Sequence, residues 1–322
     1  MVAAVGDPYT VFLPPSQSEI FKSDISGNFE GVGMEVALKD EVLTVVAPLK
    51  GSPSERAGVR AGDKIMEIDG ESTQGLSIDE AVSKIRGEKG TRVILTMIRV
   101  GESEPLKIPV MRDVIDVPTI KTETRDTPTG KAFIISLYNF SANSPTLFRD
   151  ALQEFVDLET DKLIIDLRGN PGGYLEAAVD MASWFLPEGK VVVREYFGDA
   201  RDEEVHRSRG YDIFNDNLKM VILVDGGSAS ASEILAGALR EQKNVPLVGM
   251  KTFGKGSVQE LIDITDETAL KVTVARWLTP NGNSISEKGL APDYKVEITK
   301  SDIENDRDPQ LNKAIEIVEK DI

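Results

Sequence analysis

From about residue 113 to the C-terminus, apolar runs typical of strands alternate with segments of helical periodicity. Runs such as KAFIISLYNF, KLIIDLRGN and KMVILVDG are separated by segments such as SPTLFRDALQEFVDLE and YLEAAVDMASWFL. This alternation predicts a parallel or mixed sheet covered by helices. The last segment, DPQLNKAIEIVEK, has apolar residues at helical spacing and predicts a terminal amphipathic helix. The fold class expected for this part of the chain is α/β.

The preceding segment has a different pattern, with short strands, turns and two short helices between about residues 29 and 112. Because a chain of 322 residues exceeds the length at which one core usually stops growing, two domains are expected. We place them at residues 29–112 and 113–322. Residues 1–28 read as the remnant of an N-terminal segment or linker, and DPYTVFLPP is predicted to be a loop or short helix.

Charge and composition exclude several classes of function. The net charge of −17 repels phosphate backbones, so nucleic acid is not an expected partner. The chain has no cysteine, which excludes disulfides and thiolate metal sites. No stretch approaches the roughly 20 apolar residues that span a bilayer, and the first residues lack the pattern of a signal peptide. On composition alone, a cytosolic location is compatible with the sequence.

A serine and a lysine are the candidate catalytic residues. The single histidine, His206, lies in a polar run that is a poor setting for a triad base. Ser230 lies in GGSASASEI, and Lys255 in TFGKGSVQ could activate it if burial lowers the pKa of the amine. Composition does not separate Ser230 from Ser228 and Ser232. The S-x-x-E pattern favours Ser230, at a helix N-terminus, although a plain helix cap and a solvated lysine are the simpler interpretations.

Glycines and a helix terminus could supply donors for an oxyanion. The segment DLRGNPGG follows an apolar strand and precedes a helix, so its glycines can present backbone amides. The amide of Ala231 would lie at the positive end of the helix dipole. The alternative for DLRGNPGG is a tight turn in which Arg168 pairs with Asp166. A phosphate site is disfavoured, because the glycine pattern of dinucleotide-binding folds and a Walker lysine are missing.

Five motifs in order, DLRGNPGG, GGSASASEI, TFGKGSVQ, TPNGNSI and KGLAPD, carry a specific resemblance, together with GVGME and RAGVRAGDKIMEIDG upstream. The chain resembles the C-terminal processing peptidases, or tail-specific proteases, which are PDZ-containing serine peptidases. The resemblance implies a PDZ domain and a Clp protease/crotonase-like α/β core with a mixed sheet. It implies Ser230 as nucleophile and Lys255 as base, with Gly172 or Gly173 joining Ala231 in the oxyanion hole. It implies neither metal nor cofactor.

The resemblance also assigns Gln259 as the residue that orients Lys255. Four residues of extended strand span about 13 Å, so this contact requires a bend at Gly254 or Gly256. The alternative is a glutamine that faces solvent.

In the PDZ segment, the resemblance makes Gly31, Val32, Gly33 and Met34 the loop that binds a terminal carboxylate, and the next strand would accept the peptide. Ile78 and Val82 would line the groove from a helix, unless they only pack its core. Arg86, at the end of that helix, is a candidate gating residue. The alternative for Arg86 is stabilisation of the helix end.

The expected substrates are proteins or peptides with accessible C-terminal tails, and a homodimer is possible. The resemblance places the protein outside the cytoplasm, with membrane association only through a segment absent from this chain. Two rival hypotheses remain. One is a non-catalytic PDZ or apolar-ligand binding protein on the same core, and the other is a crotonase-like acyl-thioester enzyme.

Overall fold

The computed structural model describes residues 10–15, 28–39, 42–49, 51–60, 62–76, 78–116, 119–198, 201–215, 217–265, 267–286, 288–299, 301–302, 305 and 307–320. The helices are α1 (Pro53–Arg56), α2 (Ile78–Ile85), α3 (Ser144–Asp157), α4 (Leu175–Ser183), α5 (Ala231–Lys243) and α6 (Pro309–Val318). The strands are β1 (Val11–Leu13), β2 (Asn28–Gly31), β3 (Met34–Lys39), β4 (Val42–Pro48), β5 (Lys64–Ile68), β6 (Glu71–Ser72), β7 (Arg92–Ile98), β8 (Leu106–Met111), β9 (Asp113–Asp116), β10 (Ile120–Thr127), β11 (Gly130–Leu137), β12 (Lys162–Asp166), β13 (Val191–Tyr196), β14 (Glu204–Arg207), β15 (Lys219–Val224), β16 (Leu247–Gly249), β17 (Ser257–Asp263), β18 (Ala269–Leu278) and β19 (Tyr294–Lys295).

The smaller of two compact units comprises Leu13–Val117. Its main sheet has the order β3-β4-β5-β7-β8, with β6 beside β5, and β2 pairs separately with β9. Val45, Ile65 and Leu95 are fully buried in its core. On α2 the buried residues are Ala81 and Ile85, which lie four positions apart and so share one helix face.

The larger unit comprises Pro118–Ile322 with the first residues of the chain. Its six-stranded sheet has the order β10-β11-β12-β15-β16-β19, in which only the β10–β11 pair is antiparallel. The sheet is therefore mixed. A second sheet has the order β1-β18-β13-β14, with β17 also paired to β18.

Helices cover both faces of the six-stranded sheet, which explains why its central strands are continuously apolar. One face packs against a cluster that includes Phe148 of α3, Met181 of α4 and Leu235 of α5. The other face packs against Ala314 and Ile317 of α6. The predicted terminal helix is α6. Within the described ranges, no helix is both long and apolar enough to cross a bilayer.

One prediction near the N-terminus is wrong. DPYTVFLPP was expected to be a loop or short helix, but Val11 and Phe12 belong to strand β1, which pairs with β18. The hydroxyl of Thr10 accepts a hydrogen bond of 3.2 Å from the amide of Thr273 in β18. A pairing partner more than 250 residues away leaves no local signal in the sequence. Residues 1–9 and 16–27 lie outside the described residues.

The parallel strands determine where the motifs meet. Strands β12, β15 and β16 are neighbours, and each carries a motif immediately after its carboxyl end. DLRGNPGG begins at the end of β12, GGSASASEI follows β15, and TFGKGSVQ follows β16. Because the carboxyl ends of parallel strands lie at one edge of a sheet, the three motifs converge there.

Candidate active site

Ser230 is the N-cap of α5 and has an unusual backbone conformation, with φ 55° and ψ −115°. Such a conformation costs a serine roughly 1–3 kcal/mol and persists only where neighbouring contacts enforce it. Here the amide of Ser230 donates to Oε2 of Glu233 at 2.9 Å, and its carbonyl accepts from the amide of Ile234 at 3.0 Å. The motif thus holds one serine in a strained turn at the start of a helix.

The structure distinguishes the three neighbouring serines. Ser228 is fully buried, and its hydroxyl donates to the carbonyl of Leu167 at 2.8 Å. Ser232 is also fully buried, and its hydroxyl donates to the carbonyl of Asn170 at 2.9 Å. Ser230 is only partly buried. Ser228 and Ser232 therefore stabilise the loops, which leaves Ser230 as the candidate nucleophile.

Lys255 lies in the loop between β16 and β17 and is partly buried. Burial lowers the pKa of its amine below the usual value for lysine. Among the residues that the structure describes, the amine has no hydrogen-bond or ion-pair partner. A desolvated lysine without a carboxylate partner is the form that can act as a general base near neutral pH.

A buried carboxylate brings Ser230 and Lys255 together. Glu233 is fully buried, and its Oε2 accepts from the amide of Ser230 at 2.9 Å and from the amide of Lys255 at 3.0 Å. Because both bonds end on the same oxygen, the two backbone nitrogens lie within about 5.9 Å of each other. Burial raises the pKa of the Glu233 carboxyl, and hydrogen bonds from four donors oppose that rise.

The glycine pair packs against the candidate nucleophile. A Cβ atom built on Gly172 would lie 2.9 Å from both Cβ of Ser230 and the amide nitrogen of Ala231. The amide of Gly172 itself donates to Oδ1 of Asn170 at 2.9 Å. In the described part of the chain, the amides of Gly173 and Ala231 have no protein acceptor. This geometry favours Gly173 over Gly172 as the partner of Ala231.

Side chains fasten the glycine loop to the serine loop. Oδ1 of Asp225 accepts from the amides of Gly169 at 2.9 Å and Gly227 at 2.8 Å. The carbonyl of Asn170 accepts from the amide of Ala229 at 3.0 Å. These bonds fix the two loops relative to each other.

The predicted Arg168–Asp166 pair is present, with a shortest distance of 2.6 Å. Arg168 also binds Asp308, the N-cap of α6, at 2.8 Å. The pair therefore connects the start of the glycine loop to the C-terminal helix.

Gln259 lies in β17, where the pairing register with β18 shifts between Val258 and Gln259. It lines a surface pocket together with Glu195, Arg201 and others. Gly254 has φ 87° and bends the chain ahead of Lys255, as the expected contact requires. The orientation of Lys255 by Gln259 stays a prediction.

His206 occupies a structural position in β14. Its Nε2 lies 3.3 Å from Oε2 of Glu195, and its ring lies edge-on to Trp277 with 5.9 Å between centroids. Within the described residues, no hydrogen bond joins it to Ser230. The same residues contain no cluster of side chains suited to a metal ion.

In the smaller unit, a cavity lies between the loop before β3 and helix α2. It is lined by Val32, Gly33, Met34, Val36, Val82, Ile85 and Arg86. Gly33 has φ 70°, and an added Cβ would lie 2.6 Å from Cβ of Ser52, so this position requires glycine. Two other predicted groove residues do not line the cavity: Gly31 pairs with Asp113 in the β2–β9 ladder, and Ile78 is 39% exposed on α2.

The sequence indicated Glu233 only as part of a helix cap. It did not indicate Asn170, which binds the amides of Gly172 and Ala229, or Thr252, whose hydroxyl donates to Glu233. The spacing of Glu233 from Ser230 was the only local signal for its role. Its contacts with the Lys255 loop depend on the adjacency of β15 and β16, which a single sequence does not reveal.

Comparison with known proteins agrees with these observations. Peptidase family S41 matches residues 131–296, and a PDZ domain matches residues 44–99. The carboxy-terminal processing protease CtpA of Bacillus subtilis is 37% identical over 298 residues, which cover 92% of this chain and 62% of that protein. A probable CtpA-like serine protease of Staphylococcus aureus (strain N315) is 38% identical and is covered over 59% of its length. The chain thus spans about three fifths of these relatives.

Among solved structures, the photosystem II D1 C-terminal processing protease is similar, with a TM-score of 0.64 and 28% identity. The match covers 100% of this chain and 84% of that one. The predicted fold class, a PDZ domain with a mixed α/β core, is confirmed, as is the predicted resemblance. The chain belongs to peptidase family S41 and carries a PDZ domain.

Proposed function

We propose that this chain is a serine endopeptidase that cleaves protein or peptide tails, with Ser230 as nucleophile and Lys255 as general base. The observation that carries the proposal is the shared contact of Ser230 and Lys255 with one oxygen of Glu233, at 2.9 and 3.0 Å. It brings a strained serine and a desolvated lysine to one edge of the sheet. The names of the similar proteins, which include a carboxy-terminal processing protease, agree with this activity.

In the proposed acylation step, the neutral amine of Lys255 takes the proton of the Ser230 hydroxyl as the oxygen attacks the scissile carbonyl carbon. The amides of Gly173 and Ala231 donate to the oxyanion that develops. The carbon–nitrogen bond then breaks, and the leaving amine takes the proton from Lys255. In deacylation, Lys255 activates water against the ester in the same way, which regenerates the Ser230 hydroxyl. Gln259 would orient Lys255 from the neighbouring strand.

The PDZ domain would recruit the substrate tail. The cavity around Val32, Gly33 and Met34 supports this role, because backbone amides in such a loop bind a terminal carboxylate. Helix α2 contributes Val82 as an apolar contact for the last side chain of the tail. An extracytoplasmic location, a homodimer and the domain boundaries at residues 28 and 112 remain predictions.

A fluorophosphonate probe tests the proposal directly, because it modifies only activated serines. We expect mass spectrometry to find the label on Ser230, and we expect the same preparation to digest an unfolded protein. The Lys255→Ala variant should lose digestion and should be labelled far more slowly than the parent. A purified chain that binds tail peptides but is never labelled would instead support the non-catalytic binding protein. Labelling combined with hydrolysis of acyl thioesters, but of no peptide, would support the crotonase-like enzyme.

A further inference from the structure

Glu233 accepts more hydrogen bonds than a helix cap needs. Its Oε1 accepts from the hydroxyl of Thr252 at 2.5 Å and from the amide of Gly254 at 2.8 Å. Its Oε2 accepts from the amides of Ser230 and Lys255 at 2.9 and 3.0 Å. The capping role accounts only for the bond to Ser230. The other three donors belong to the loop that carries Lys255.

A carboxylate is costly to bury, and only a full set of donors compensates that cost. Glu233 has an exposed fraction of 0% and has four donors, two on each oxygen. Thr252 is held in the donor role, because its oxygen accepts from the amide of Leu290 at 2.7 Å. Every group around the carboxylate therefore donates to it. A neutral glutamine would turn its NH₂ group toward two of these donors in either orientation.

We infer that Glu233 is a positioning residue that sets the separation of Ser230 and Lys255 by holding the backbones of both loops on one carboxylate. This inference rests on the proposed function of Ser230 and Lys255. It adds the requirement that the loops of Ser230 and Lys255 are held at a fixed separation. A displacement of about 1 Å in such a pair lowers the rate about 100-fold.

The first test is Glu233→Gln, which preserves size and removes the charge and two of the accepted bonds. We expect kcat for a short peptide to fall about 100-fold while KM stays within about twofold, because the groups that bind substrate are retained. The matched control is Glu176→Gln on α4, where the side chain is 70% exposed, and it should leave kcat unchanged. Thermal unfolding of each variant, followed by circular dichroism, identifies any general loss of structure.

Thr252 provides a second test that is independent of the charge. Thr252→Val removes the hydroxyl donor to Glu233 at nearly constant shape, whereas Thr252→Ser retains it. We expect the valine variant to lose roughly tenfold in kcat, which corresponds to one buried hydrogen bond, and the serine variant to retain the parent rate. This pair remains informative if Glu233→Gln does not fold. Equal rates for the two variants would contradict the inference.

A double-variant cycle separates positioning from general destabilisation. Fluorophosphonate labelling of Ser230 is measured in the parent, Glu233→Gln, Lys255→Ala and the double variant. If Glu233 acts by holding Ser230 relative to Lys255, Glu233→Gln should slow labelling in the parent. The factor by which it slows labelling should be at least tenfold smaller in the Lys255→Ala background. Additive effects, or a raised KM with a large fall in the unfolding temperature, would show that Glu233 is merely structural.

The outcomes also separate this inference from the proposed function. An unlabelled Ser230 in the parent, or a Lys255→Ala variant that reacts at the parent rate, overturns the Ser–Lys mechanism itself. A parent that requires both residues, together with a fully active Glu233→Gln variant, overturns only the role of Glu233.

Discussion

At the scale of single residues, Ser230 differs from Ser228 and Ser232 in the hydrogen bonding of its hydroxyl group. The hydroxyl groups of Ser228 and Ser232 donate to the carbonyls of Leu167 and Asn170, respectively. The sequence predicted Ser230 from the capping pattern and the resemblance, but it could not show that the other two serines are engaged. Those partners lie about 60 positions away, in a loop that only the sheet brings near.

We expect Ser230→Ala to abolish hydrolysis and leave the unfolding temperature close to that of the parent, because it removes one partly buried hydroxyl. Ser228→Ala should do the opposite. It removes a buried hydroxyl that donates to the carbonyl of Leu167 and accepts from the amide of Asp225, which costs about 1–3 kcal/mol of stability, with activity retained. Peptide hydrolysis and thermal unfolding measure both effects. If Ser228→Ala were inactive and Ser230→Ala active, the assignment of the nucleophile would be wrong.

The pH dependence of kcat/KM should rise along a limb set by Lys255, because only the neutral amine accepts the serine proton. Below the pKa of Lys255 the amine is protonated and inactive. Since burial lowers that pKa from the ordinary 10.5, the limb should lie at lower pH than an exposed lysine would give. The profile of a His206→Ala variant should match the parent profile. A limb that disappears in this variant would refute a mechanism without histidine.

At the scale of elements, the site depends on loops that follow three adjacent parallel strands, β12, β15 and β16. Strand and helix alternation predicted this sheet, and the motifs predicted which loops matter. Two features could not be predicted. Strand β1 forms because β18 supplies its partners, and Glu233 joins two loops whose adjacency follows from strand order. The role of Gln259 stays open for the same reason, because its contacts depend on the register of β17 with β18.

The glycine loop offers a prediction about the oxyanion hole. Gly173 has φ 147°, and an added Cβ would lie 2.3 Å from the carbonyl oxygen of Phe140, so Gly173→Ala must displace the amide. We expect kcat to fall about 100- to 1,000-fold with little change in KM. Gly226→Ala, in the loop after β15, is the control, because Gly226 does not have a positive φ and its added Cβ would lie 4.0 Å from the nearest atom, the carbonyl oxygen of Lys251. Steady-state kinetics on a short peptide measure both variants, and equal losses would argue against a donor at Gly173.

Helix α2 permits a similar paired test of tail binding. Val82 lines the cavity of the smaller unit, whereas Ile78 on the same helix lies outside it and is 39% exposed. We expect Val82→Asp to weaken binding of a peptide with a free C-terminal carboxylate at least tenfold, and Ile78→Asp to have little effect. Fluorescence anisotropy with the free-acid peptide and its amidated form measures both. Unchanged binding by Val82→Asp would place the tail elsewhere.

At the scale of the whole molecule, a PDZ domain and a domain of peptidase family S41 share one chain. Composition and length predicted two domains, and the resemblance supplied the type of each. Whether the PDZ domain regulates catalysis does not follow from either unit alone. Arg86 is the residue on which such regulation would depend. It lines the cavity of the smaller unit, and its amide donates to the carbonyl of Val82 at 2.9 Å.

The gating hypothesis predicts that occupancy of the cavity changes catalysis on a substrate too short to use it. Under this hypothesis the protein exchanges between an inactive arrangement and an active one. A tail peptide that binds the active arrangement more tightly shifts the population toward it, so saturating peptide should raise kcat for the short substrate. Arg86→Ala should alter this response, because a residue lining the cavity would no longer distinguish the two arrangements. The amidated peptide serves as the control ligand, since it lacks the carboxylate. If bound peptide and Arg86→Ala both leave short-substrate kinetics unchanged, the PDZ domain acts only as a tether. Binding of the tail then raises the local concentration of substrate and does not change the rate of the catalytic step.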